Sequence, residues 1–344
     1  MTGPARRVAL ALAWLRRRLS LGPLILLYHR VGDIPADPFG LAVSPRYFSD
    51  HLEVLRRYAR PTPLSHLTGG LGEGRPLRRS VVVTFDDGYA DNLLFARPLL
   101  ERHDVPATAF IASGYLGFPG DFWWDELEAL LLRPGTLPAS LSFEHEGGTY
   151  REELGAASTL SEADFERLRG WTFSCVDVPT PRHAVFCQLY RLLQVMPPTA
   201  LEQAMCRLRE WAATPRRARP ECRLLTPDDL VRLGEGGLVE IGAHTRYHPV
   251  LPSLPVEAQR EEIRSCKARI EEIIGRRVVS FSYPYGLYSP ETVAEVRDAG
   301  FLTACTTREA RVLRSTHLLE LPRIWVGNWD GEELDSRLRR WFAA

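Results

Sequence analysis

Three clusters of polar side chains in this sequence each follow an apolar run. Asp86 and Asp87 close SVVVTFDDG, His244 and His248 bracket HTRYH after LVEIGA, and Tyr283 and Tyr285 lie in YPYG after VVSFS. Two imidazoles and one carboxylate make a facial ligand set suited to zinc or a similar divalent ion, with positions left open for water and a substrate. The histidines are close enough in sequence to face one centre if the chain turns after the strand. The second carboxylate is then free for general-base work. Each cluster alone has a plainer reading. Asp-Asp-Gly after a strand is a common solvated turn, histidines at this spacing occur on ordinary surfaces, and YPYG is a tight turn. Their joint occurrence, each at the end of an apolar strand, is the sharper signal. One more histidine raises a question of its own: His29 ends PLILLYH, either as a core histidine or as a group the strand delivers.

The elements that position these residues alternate. After the strand ending at His29, SPRYFSDHLEVLRRYA has a Ser44 cap, a proline at the next position and apolar residues at helical spacing. SVVVTF is a buried strand, NLLFARPLLERHDV the following helix and PATAFIAS the next strand. The same rhythm resumes at LTPDDLVRLGEGG, where Thr226 caps a helix with Pro227 at its first turn. It continues through LVEIGAHT, a long helix, VVSFSYPYG, SPETVAEVRDAG and FLTACTT. Strand–helix alternation predicts parallel βαβ packing, and ligands of such folds bind at the carboxyl ends of the strands. Residues about 117–222 break the rhythm with helical patterns and little strand signal, which predicts a mostly helical insertion. Within it, Phe122, Trp123 and Trp124 offer either a sugar-stacking edge or, more simply, the insertion's own core.

A length of 344 residues with 45% apolar and 25% charged side chains supports a sizeable core in one large domain. The formal net charge of zero argues against a nucleic-acid-binding field. Six cysteines show no CxxC pair and no regular framework, which points to scattered thiols and a reducing compartment. The segment 1–22 carries VALALAWL between arginines. It is too short to span a bilayer and has arginines where a signal peptide needs small residues, so a basic amphipathic helix touching a membrane surface is one reading and an ordinary surface helix the other. The expected location is cytoplasmic or membrane-associated, and the catalytic domain is expected over 23–344.

TFDDGY, HTRYH and FSYPYG resemble the first three motifs of the carbohydrate esterase family 4 polysaccharide deacetylases, the NodB homology domain, over roughly residues 24–116 and 224–325. The resemblance implies a distorted (β/α) barrel and metal-dependent hydrolysis of an N-acetyl group on an N-acetylhexosamine glycan. By it, Asp86 is the base, while Asp87, His244 and His248 hold a divalent metal, Zn2+ foremost and Co2+ or Ni2+ as alternatives. Thr245 supports the histidine segment. The sequence also departs from the family pattern. An arginine usually opens the third motif, where this chain has Ser282, and the usual C-terminal Leu-x-His of the catalytic acid is missing. Leu27-Tyr28-His29 supplies a Leu-x-His at the other end of the chain, as in permuted members resembling poly-N-acetylglucosamine deacetylases of export systems. His29 is therefore expected to be the general acid of a circularly permuted barrel, and Arg323 of LPRI to replace the missing arginine beside Asp86. Tyr285 would stabilise the oxyanion through a nearby backbone N–H, with Tyr283, Trp123 and Trp124 as further substrate contacts. An O-acetyl esterase, a small-molecule amide hydrolase and an inactive carbohydrate-binding protein on the same scaffold are the competing readings.

Overall fold

Strand β1 (Leu24–Tyr28) is buried along its whole length, as are β2 (Ser80–Phe85), β3 (Ala107–Ile111), β5 (Ser280–Ser282) and β6 (Thr303–Cys305). Strands covered on both faces need apolar residues at every position, which is why these segments read as continuous runs instead of alternating ones. With β4 (Val239–Ala243) and β7 (Ile324–Trp325) they form one parallel sheet in the order β6-β5-β4-β3-β2-β1-β7, and the short strand Arg60–Pro61 also pairs with β2. The computed structural model from which this is read describes residues 22–72, 79–145, 147–173 and 178–343. The expected basic N-terminal helix lies outside these apart from Gly22, as does Cys175.

The sheet curls until its two edges meet. Beyond β6, the backbone of Leu321 donates to the Ala304 carbonyl and accepts from Thr306, both at 2.8 Å, and the same stretch runs on into β7. Register fixes the opposite side of the seam: Leu26 of β1 lies beside both Val83 of β2 and Ile324 of β7. The first strand of the chain thus fills the ring position between the last strand and β2, and the molecule is the permuted, distorted (β/α) barrel expected from the motifs. Helix α1 (Pro45–Tyr58), capped by Ser44, lays Phe48, His51, Leu52 and Leu55 on the outside of β1 and β2.

The insertion has a separate apolar core. Helix α2 (Trp123–Leu132) packs with α3 (Pro181–Gln194) and α4 (Pro198–Trp211) around Phe122, Leu127, Phe186, Leu189, Met205 and Leu208. The expectation of little strand structure here needs correction. Ser140–His145 and Gly148–Glu153 form an antiparallel hairpin, with Leu141 and Phe143 alternately buried against α4. SLSFEH has the period of two that marks a half-buried strand, but polar residues dilute it. The cysteines at 187, 206, 222, 266 and 305 are all free thiols. No helix among the described residues is long and apolar enough to cross a membrane.

Candidate active site

The carboxyl ends of β1, β2, β4 and β5 converge on one pocket of about 180 Å3, lined by His29, Asp86, Asp87, His244, His248 and Tyr285 among others. Asp86 is the centre of a buried polar cluster. Arg323, just before β7, is fully enclosed and clamps both carboxylate oxygens, Nη1 to Oδ1 at 2.7 Å and Nη2 to Oδ2 at 2.6 Å. The Arg323 Nε donates to the Thr306 carbonyl, and Nη2 also donates to the Ser282 hydroxyl, which in turn donates to Asp86 Oδ2. Ser282 and Arg323 therefore share the neighbourhood of Asp86, with the guanidinium arriving from a different strand than the third motif. Burial alone would raise the Asp86 carboxyl, but Arg323 and then His244 outweigh it and hold it well below the ordinary carboxylate range.

Asp87 Oδ1 stands 3.5 Å from Nε2 of His244 and 3.5 Å from Nε2 of His248. One donor atom from each of these three buried residues falls within 4.8 Å of the other two. His244 Nδ1 is 2.7 Å from the Ser282 carbonyl, which can only accept, so the proton sits on Nδ1 and the Nε2 lone pair faces the carboxylates. Burial pushes His248 down to about 3, which keeps it neutral. For His244, burial is outweighed by Asp86 and Asp87, and its imidazole is raised. The pocket attracts positive charge to this point. A carboxylate oxygen and the Nε2 atoms of two imidazoles turned toward it fit a divalent cation.

The backbone here is held in sparsely occupied conformations. Asp87, Thr245, His248 and Tyr285 all have positive φ, between 57° and 79°, at a cost on the order of 1 kcal/mol each. Neighbours fix them: Ala112 donates to the Asp87 carbonyl, Ser113 to that of Thr245, and the His248 amide to the Thr245 hydroxyl at 3.0 Å. Thr245 does support the histidine segment. At Gly286, φ is 70° and an added Cβ would lie 2.0 Å from the Thr307 hydroxyl, so the turn that sets Tyr285 over His248, ring centroids 4.6 Å apart, requires glycine.

His29 lines the pocket at the end of β1, with its buried Nδ1 unpartnered. Its carbonyl accepts from Asn92 Nδ2 at 2.9 Å, while Asp91 binds both Arg30 Nε and the Val31 amide. The first motif thus continues, structurally, as TFDDGYADN, whose last two residues fix the strand end that carries His29. Trp124 reaches the pocket, its ring 5.0 Å from His248 and its indole N–H on the Tyr89 hydroxyl. Two expected substrate contacts are corrected. Tyr283 points away from the pocket into the layer between sheet and helices, and its hydroxyl donates to the Leu319 carbonyl at 2.9 Å, because alternate residues of a strand face opposite ways and Ser282 takes the inner one. Trp123 is 5% exposed, packs against Tyr190 in the insertion's core and does not line the pocket. Phe39, Leu41, Tyr190 and Thr307 complete the pocket and carried no motif. Only Asn92 and Asp91, next to a motif, left a trace in the sequence.

A curled parallel barrel with carboxylates and imidazoles gathered at its carboxyl end defines the class of deacetylase-type barrels. The polysaccharide deacetylase family model matches residues 73–143 and 190–304, more than half of the chain, and the chain belongs to that family. A relative of known sequence is YxkH of Bacillus subtilis (strain 168), itself only provisionally assigned as a polysaccharide deacetylase; the two are 29% identical over 107 residues, which take in 30% of this chain and 37% of YxkH. Among solved structures, the Streptococcus pyogenes deacetylase PplD, in complex with acetate, superposes with a TM-score of 0.57 at 16% identity over 92% of this chain and 98% of that one. IcaB from Ammonifex degensii gives 0.57 at 19% identity, over 94% and 97% of the two chains. At these identities the likeness is one of fold.

Proposed function

We propose that this protein is a metal-dependent hydrolase that removes N-acetyl groups from N-acetylhexosamine units of a glycan. The observation that carries the reading is the convergence, in one pocket, of an Arg323-clamped carboxylate, a separate Asp-His-His ligand set and His29 from the opposite end of the chain.

Asp87, His244 and His248 would hold the cation, Zn2+ first among the candidates. When bound, it would act as a Lewis acid toward the acetamide oxygen and lower the pKa of water at the site. The other residues then have separable tasks. Asp86, kept ionised by Arg323, accepts a hydrogen bond from the attacking water and takes its proton. Arg323 and Ser282 orient the carboxylate so that its free lone pairs face the pocket. His29, whose strand end is clamped by Asn92, gives a proton to the departing amine, which is a poor leaving group until protonated. The Tyr285 turn brings backbone amides near the position where the oxyanion develops.

The test is acetate release from N-acetylated and O-acetylated saccharides by protein loaded with Zn2+, Co2+ or Ni2+. The reading expects release from N-acetyl substrates and its loss on chelation. Release from O-acetyl substrates alone would replace it with an esterase, and glycan binding without turnover in excess zinc would replace it with a binding protein.

A further inference from the structure

The turn that carries His244 and His248 is strained, and two other segments of the chain hold it. Thr245 and His248 sit at φ of 64° and 57°, which residues other than glycine keep only where neighbours over-determine them. The segment after β3 makes one set of contacts. The Ile111 carbonyl accepts from the His244 amide at 2.9 Å, while the amides of Ser113 and Gly114 donate to the carbonyls of Thr245 and Arg246 at 3.2 and 2.8 Å. The approach is close, since a Cβ added to Gly114 would lie 2.5 Å from the Tyr247 ring.

The other set comes from the helix Val256–Ile274. Glu262 on that helix reaches the turn with side chain and backbone: Oε2 accepts from the Tyr247 amide at 2.8 Å, and its carbonyl accepts from the Arg246 amide at 3.1 Å. One helical turn on, the Cys266 thiol donates to the same Ile111 carbonyl that holds His244. The peptide joining Arg246 to Tyr247, midway between the two histidines, is thus held at both ends. Gly114 fixes its C=O and Glu262 its N–H. Glu262 is 7% exposed, and burial pushes its carboxyl up to about 7 although the Tyr247 and Arg246 amides favour its charge. Placing a carboxyl there is costly, and an apolar side chain would dock the helix equally well. What an apolar side chain lacks is an oxygen for that N–H.

Resting on the metal-dependent reading of the pocket, we propose that Glu262 is a positioning residue of the metal site: by accepting from the Tyr247 amide it presets the turn so that His244 and His248 face one centre before a cation arrives. The turn needs the acceptor oxygen; the negative charge is incidental to the role.

The experiment compares the full chain with its Glu262→Met and Glu262→Gln variants. Zn2+ affinity is read by chelator competition, and hydrogen exchange over 244–248 is followed by mass spectrometry in the metal-free proteins. Glu262→Met keeps the bulk and loses the acceptor, so it should bind Zn2+ about 10–100-fold more weakly and exchange faster over 244–248. Glu262→Gln keeps a carbonyl oxygen and should match the wild type in both. Wild-type affinity and exchange in Glu262→Met with native circular dichroism, or losses in Glu262→Gln as large as in Glu262→Met, overturn the proposal. Should Glu262→Met fail to fold, the metal-free wild type decides: slow exchange over 244–248 supports a preset turn, and exchange as fast as in an unstructured chain overturns it. If the wild type binds no Zn2+, the metal-dependent reading has failed on its own. The exchange comparison then still decides this inference, since selective acceleration in Glu262→Met supports it and unchanged exchange overturns it.

Discussion

Arg323 and Asp86 form a buried ion pair whose members lie 237 residues apart in the chain, and removing one partner strands the other. Arg323→Met is expected to cost about 3–5 kcal/mol, read from urea melts, with Arg323→Lys intermediate because a single ammonium replaces the bidentate fork. The pH dependence follows with a definite sign. Asp86 is held below its unfolded value, so its stabilisation is complete above about pH 4 and is lost as pH falls toward the folded value. In Arg323→Met burial, His244 and His29 remain to act on it, so the stability lost as pH falls below about 4 should shrink relative to the wild type. For activity, Asp86→Asn and His29→Ala are each expected to lower kcat by about 100-fold or more while leaving bound metal, measured by elemental analysis, unchanged. Chelation should lower the melting temperature, since a cation at a hundred times its Kd stabilises the fold by about 2.7 kcal/mol. At this scale the proposed ligand set was legible because each member sits beside another polar residue at a strand end. Arg323 and His29 were legible only as departures from a family pattern. Phe39 and Tyr190 were not, since an aromatic on an apolar helix face or in a loop has no local signature of facing a pocket.

Helix α1 shows how one buried histidine couples an element to acidity. His51 is wholly buried, with Nε2–H donating to the Trp329 carbonyl at 2.7 Å, which leaves Nδ1 to accept from Tyr28 Oη–H. Burial pushes it down to about 4. An unfolded histidine takes its proton near pH 6.5, so unfolding binds a proton between these values, and stability falls by up to about 3 kcal/mol as pH drops through that window. Above about pH 7 the contribution is flat. His51→Gln should remove that slope from the stability–pH curve, although both contacts rebuild only in part. The insertion depends on Arg182, buried inside it with its guanidinium donating to the carbonyls of Leu131, Arg133, Gly135, Ala157 and Ser158. Arg182→Met leaves those acceptors unpaired and is expected to cost about 3 kcal/mol or more, with hydrogen exchange rising first in 133–160. Helices and barrel strands were legible from period and caps. The 140–153 hairpin was not, because three of its twelve strand residues are glutamate and only alternation marks it.

For the whole molecule, the ring order of strands follows chain order all the way round, with β7 returning to β1. A permutant that begins at Arg79 and carries residues 22–72 after the helix Gly331–Ala343, through a flexible linker, should therefore fold and bind metal, as judged by circular dichroism and metal titration. Failure to fold would show that β1 must precede β2 in the chain. Parallel alternation made the barrel class readable from sequence, whereas closure depends on Leu321, a residue in no regular element and in no motif. The same closure sets a limit on synthesis. Leu26 waits for Ile324, and Asp86 waits for Arg323, which lies 237 residues further along the chain. Until then β1 has an open edge and Asp86 a buried-to-be charge with no cation, the conditions under which nascent chains aggregate or are held by chaperones. Closure of this barrel waits for β7, and the Asp86 cluster is completed no earlier than Arg323 emerges.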